Sequence, residues 1–396
     1  MKTTTTIAIF AALLLGCTQP SPAENQPACE PETAACTPEV KPEPEPTVDV
    51  SKLGKLEDAD APEQARAIAK IEEVSLLKFK NTVPVYIYTA KDLEAELATW
   101  GGDFRPSNVM GFYRFATKAM YLVPEVAGNR RAFGLRIHEG VHALQDQHWG
   151  LPKLHESMNT TDGYWAVLGL IEGHAVQVMI DALIEDQPHV AYIAKAKAPE
   201  GSNDPQTYRA VYTYAQGTRF IQHLKSTDGY KLVNRSFLNP PVSSEQVLHP
   251  EKYTTDIDLP DVVTLDIASL KTALPTGFKL DDVDTHGEFE TRMTLVTHRE
   301  TVKDAESIAA GWGGDQIVVA RKDEATVTVW VSSWDTKEDA KAFADGIVLH
   351  SDTRFIDISA DDSKVIYVIK SSGEVSDDER SSLIAALGKT KVTFVK

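Results

Sequence analysis

The chain has 396 residues, with 58 Asp and Glu against 40 Lys and Arg and a formal charge of −18. That length allows a catalytic unit with a sizeable core plus one smaller domain, and 42% hydrophobic with 8% aromatic residues excludes an intrinsically disordered chain. The acidic balance argues against nucleic acid or an anionic membrane surface as the main partner, and the acidic runs at 39–49 and 57–63 read as solvated surface.

The N-terminus reads as an export signal. Lys2 supplies a minimal basic region, and the apolar run 7–15 is shorter than the roughly 20 residues a spanning helix needs. Leu14-Leu15-Gly16-Cys17 resembles a bacterial lipobox, which implies cleavage after residue 16, a lipid anchor at Cys17 and no transmembrane helix in the mature chain. Thr18 follows the cysteine where inner-membrane retention would want Asp, so the resemblance favours the outer membrane of the cell envelope, with a periplasmic or surface-facing body. Cys29 and Cys36 are the only other cysteines, a pair available for a small-loop disulfide in an oxidising compartment but unable to staple a core. Residues 17–50 repeat Pro, Glu and Thr, with Lys41-Pro42-Glu43-Pro44-Glu45-Pro46 as a stiff, extended tether.

Apolar periodicity begins near Leu53. The pattern predicts a helix over 61–77, a strand over 83–89, a short helix over 91–100 and a hairpin of strands at 111–113 and 119–123. Two long helices follow at 130–148 and 164–184, then another at 207–224 and a loop at 239–244. Periodicity is lost from 253 to 284. Beyond it the pattern predicts helices at 288–298 and 303–310, strands at 316–320 and 326–331, a helix at 337–345, a strand at 364–369, a helix at 377–387 and a strand at 390–395. The expected fold is α+β: a mainly helical, zincin-like catalytic domain with a small sheet over 51–285, then a smaller α+β domain over 286–396 with a helix-covered antiparallel sheet.

His138-Glu139-Gly140-Val141-His142 is an HExxH motif inside the helix predicted at 130–148. Four residues advance a helix by about 400°, so the two imidazoles face one way, one turn apart, and can share a Zn²⁺ at roughly 2.0–2.1 Å each. Glu139 is placed to act as general base on a zinc-bound water and to pass the proton to a leaving amine. The surrounding Phe133, Leu135, Ile137, Val141 and Leu144 are apolar, a setting in which polar side chains without a task would be costly.

A catalytic zinc needs a third protein ligand and an open position. His148 has metzincin spacing, but Gln145 stands where that pattern requires Gly. A helix continuing through it carries His148 about 15 Å along the axis and roughly 80° away. Glu172, a lone carboxylate in the apolar run Gly169-Leu-Ile-Glu172-Gly-His-Ala175, is the better candidate, and Gly173 beside it would let the two long helices approach closely. His174 is two residues on, so it faces elsewhere as an orienting or structural residue.

His138, His142 and Glu172 together resemble the gluzincin branch of zinc metallopeptidases. With His142-Ala-Leu-Gln-Asp-Gln-His148, Glu172-Gly-His-Ala175 and the stretch from Pro240 to Tyr253, the chain resembles a group of largely uncharacterised bacterial HExxH lipoproteins over about residues 80–255. The resemblance implies a metallopeptidase acting on peptide or protein at the cell envelope. Many gluzincins carry Asp four residues after the ligand Glu. Here that position is Val176, so the group orienting His138 must come from elsewhere, Asp146 being one candidate. His249 and Tyr253 are candidates for stabilising the oxyanion, with a loop packed by its own side chains as the alternative. Two other functions stay open: a cell-wall amide hydrolase using the same zinc, and a non-catalytic surface-binding lipoprotein, against which the intact Glu139 argues.

Overall fold

A computed structural model describes residues 54–55, 61–87, 110–122, 130–156, 158–197, 204–296, 302–347, 355–360 and 364–395. The signal segment, Cys17, the tether with Cys29 and Cys36, and the helix predicted at 91–100 lie outside the described residues. The fold is α+β, as the sequence predicts. The chain divides into two compact units, residues 1–150 with 181–186, and 151–180 with 187–396.

Among the described residues, the first unit pairs two helices with a four-stranded sheet. Helix α1 (Ala61–Ser75) turns Ala67 and Ile71 inwards, four residues apart, where both are fully buried. Strands β1 (Gly54–Lys55), β2 (Val85–Ile87), β3 (Gly111–Arg114) and β4 (Ala119–Leu122) lie in the order β1-β2-β4-β3. The predicted hairpin is β3–β4, antiparallel with Phe112 opposite Tyr121, and β2 joins β4 in parallel. Helix α2 (Arg130–Trp149) carries the HExxH motif and is buried from Phe133 to Asp146. Gly140 faces Ile71, whose side-chain tip occupies the space a Cβ would need.

The second unit begins with the short α3 (Leu151–Glu156) and the long α4 (Thr161–Leu183). By length and composition α4 could cross a bilayer, but most of it is buried within the fold, which marks it as a core helix. The helix predicted at 207–224 is three pieces: α5 (Pro205–Ala210), a π-helical turn (Val211–Gln216) and α6 (Gly217–Ser236), itself broken at Asp228 and Gly229. Short helices α7 (Ser244–Leu248) and α8 (Glu251–Thr254) follow the loop expected at 239–244.

The stretch without periodicity holds β5 (Val262–Thr264), α9 (Ile267–Ala273), capped by the Asp266 side chain, and β6 (Lys279–Asp284). The rest is α10 (Gly287–Val296), α11 (Val302–Ala309), β7 (Trp312–Lys322), β8 (Ala325–Trp334), α12 (Lys337–Gly346), β9 (Phe355–Ala360), β10 (Val365–Ser371), α13 (Asp377–Leu387) and β11 (Lys391–Thr393). Five strands form one antiparallel sheet in the order β6-β7-β8-β10-β9. Val327, Val329 and Val331 alternate onto one face and pack with Leu270 of α9 and Leu383 of α13. Trp330 and Trp334 pack with Phe343 of α12, at ring separations of 5.1 and 4.5 Å.

Candidate metal centre

His138, Glu139 and His142 are essentially solvent-free on α2, because Leu135, Ile137, Val141, Ala143 and Leu144 bury the helix around them. The two imidazole Nε2 atoms are 3.2 Å apart, with the rings edge to face. His142 Nδ1 stands 2.9 Å from the amide oxygen of Gln145, one turn on. An amide oxygen only accepts, so Nδ1 carries the proton and Nε2 presents its lone pair.

Glu172 lies midway along α4 and is 1% exposed. One potential ligand atom from each of His138, His142 and Glu172 lies within 4.8 Å of the others. Among the described residues this is the cluster able to hold a metal ion. The donor set fits a zinc-type ion: two imidazole nitrogens and one carboxylate oxygen, all buried. The two imidazole nitrogens, 3.2 Å apart, are close enough for both to reach one such ion. These three residues form a candidate metal site.

The other expected residues have partners of their own. Helix α2 runs unbroken through Gln145 to Trp149, and His148 Nε2 donates to the Lys78 carbonyl at 2.9 Å. The metzincin-like spacing is therefore a decoy. Asp146 accepts from Tyr113 Oη and Lys118 Nζ, both at 2.7 Å. Burial and this carboxylate push the Tyr113 phenol far above its usual range. His174 is buried among aromatic rings, 5.2 Å from Phe237 and 6.1 Å from Tyr230, and Val176 is fully buried. His249 ends α7 with Nε2 at 3.1 Å from the fully buried carboxylate of Glu288, which also binds Arg292 at 2.7 Å. Tyr253 Oη donates to the Asn239 carbonyl at 2.6 Å.

Sequence reasoning missed the part played by Gln145, weighing it only as an absent glycine. Its spacing of three from His142 was the available signal, since such pairs meet on a helix. It also misplaced the close approach at Gly173. The helix that meets it is α6, where a Cβ on Gly173 would run into the backbone of Gly217.

Residues 277–395 match the model of one family, a domain of unknown function (DUF8575). The match spans the five-stranded sheet with helices α10 to α13, under a third of the chain, and excludes His138, His142 and Glu172. Comparison with curated proteins and with solved structures found no significant match to either.

Proposed function

We propose that the chain is a zinc-dependent hydrolase, and within that class a metallopeptidase of gluzincin type working at the bacterial cell envelope. The observation that carries the reading is the convergence of His138, His142 and Glu172 next to Glu139. Bound there, Zn²⁺ would keep one position open and supply Lewis acidity, bringing the pKa of water towards ~7. Glu139 accepts a proton from the attacking water and delivers it to the leaving nitrogen. Gln145 keeps His142 in the tautomer that offers Nε2. His249, its ring held by Glu288, is the proposed donor to the developing oxyanion. Peptide as substrate follows the gluzincin resemblance, and the envelope location follows Leu14-Leu15-Gly16-Cys17.

Elemental analysis of the mature chain should find about one zinc per molecule, as a single three-ligand site requires, and His138→Ala should lose most of it. A peptide-library assay, with and without chelator, tests the reaction. Glu139→Gln should keep zinc and lose cleavage. Full activity in Glu139→Gln would overturn the mechanism, and zinc without cleavage of any peptide would move the substrate to another amide.

A further inference from the structure

On α4, Thr161, Trp165, Gly169 and Gly173 recur every four residues and form one face, with Glu172 about 100° round from Gly173. That face is gripped at every turn. Asp284 accepts from the Thr161 backbone N–H at 2.8 Å and from its hydroxyl at 2.5 Å. Asp162 N–H donates to the Thr285 carbonyl at 3.0 Å, and its carboxylate accepts from the backbone N–H and hydroxyl of Ser244. Gly287, at φ 76°, leaves no room for a Cβ beside Asp162.

One turn on, Trp165 Nε1 donates to Glu290 at 2.9 Å, and its ring meets Phe289 edge-on at 4.9 Å. Tyr212 stacks on Phe289 at 4.1 Å and donates its hydroxyl to the Trp165 carbonyl at 3.1 Å. The Phe289 N–H in turn donates to Ser244 Oγ at 3.1 Å. At the next two turns, a Cβ on Gly169 would come within 2.9 Å of Val247, and one on Gly173 would strike Gly217.

We propose that residues 284–290, with Tyr212 and Gly217, are a positioning device for Glu172, so that the start of the C-terminal sheet region is a working part of the metal centre. The proposal rests on the metal-centre reading above. Its physical basis is tolerance. A one-residue slip of a helix moves a side chain by about 1.5 Å and 100°, whereas metal–ligand distances tolerate about 0.2 Å. The side chain that closes the coordination set must therefore be fixed both along and around its helix. The polar links at 161 and 162 set the axial position of α4, and the rings and glycines at 165, 169 and 173 set its rotation.

The test uses the mature chain and three readouts: zinc affinity by chelator competition, the visible spectrum of the Co²⁺-substituted protein, and the thermal midpoint. Asp284→Ala and Phe289→Leu should each weaken zinc binding by about tenfold or more and shift the cobalt bands, the scale seen when groups supporting a metal ligand are lost. Asp284→Asn, which keeps an acceptor oxygen, should recover most of the affinity. Asp266→Ala removes a comparable cap on α9, a 3.0 Å bond from Ser269 N–H, and should lower only the midpoint. If Phe289→Leu does not fold, Asp284→Ala and Asp284→Asn decide. Unchanged zinc affinity in the 284 and 289 variants overturns the positioning role and leaves the metal centre standing; a wild-type chain that binds no zinc overturns both.

Discussion

Gln145 does two things that a glycine at the same position would not. As an ordinary helix former it carries α2 on to Trp149, and its amide oxygen holds His142 Nδ1 at 2.9 Å. The first effect sends His148 away to the Lys78 carbonyl, and the second fixes the tautomer of a ligand. Gln145→Leu keeps the helix and removes the acceptor, so zinc affinity should fall by about 10- to 100-fold in chelator competition. His148→Ala should leave that affinity at the wild-type level. The paired histidines were legible because helix periodicity alone brings positions four apart together. Glu172 was legible for a different reason: a lone carboxylate in an apolar run needs a partner, and a metal is one. For Gln145, the spacing of three showed that it can meet His142, but not which ring nitrogen it meets.

At the scale of elements, α4 shows how packing overrides local pattern. The sequence expected Gly173 to admit the helix of the HExxH motif, but the close neighbour is the start of α6. The π-helical turn at Val211–Gln216 interrupts a segment whose sequence reads as one continuous helix. Its Tyr212 is buried against Phe289, and its end delivers Gly217 to the α4 backbone. Gly173→Ala should raise helix propensity by about 1 kcal/mol and yet destabilise the protein, because backbone cannot rotate away from a new methyl as a side chain can. Overpacking of this kind costs typically about 1–3 kcal/mol, so the thermal midpoint should drop, and an unchanged midpoint would show that α4 and α6 part freely. Strand β6 escaped the pattern because it is a polar sheet edge, with Asp281, Asp282 and Asp284 among its six residues. The Asp266 cap of α9 carried a readable signal, since Asp before a short apolar run is a helix start.

Across the whole molecule, the second unit keeps Asp162, Glu288 and Asp315 buried in one electrostatic neighbourhood. Asp162 is pushed from 3.8 up to about 7, mainly by burial, against the lowering effect of the Ser244 hydrogen bonds. Burial likewise raises Asp315, although His286 and the N–H donors around it oppose the shift. A carboxyl with a raised folded pKa keeps its proton in the folded state while the unfolded chain has already lost it. The folded state is therefore at no disadvantage from this group below about pH 4. It loses stability as pH rises through the window up to about 7, by an amount on the order of a few kcal/mol, and the loss then levels off. Asp162→Asn keeps an acceptor for Ser244 and removes the charge, so it should flatten this slope and raise the thermal midpoint at pH 8. Midpoints of the two proteins that run parallel from pH 4 to 8 would show that Asp162 ionises without penalty.

The sequence by itself determined the α+β class, most helices and strands of the C-terminal sheet region, and the pairing of His138 with His142. Those features depend on periods of two and 3.6 residues, which are local. Only the tertiary structure decided that Glu172 meets the two histidines, and that α6 and residues 284–290 grip the helix bearing Glu172. Each of these joins residues whose contact depends on where whole helices sit, and helix placement is set by the summed packing of many side chains, which no short window of sequence contains.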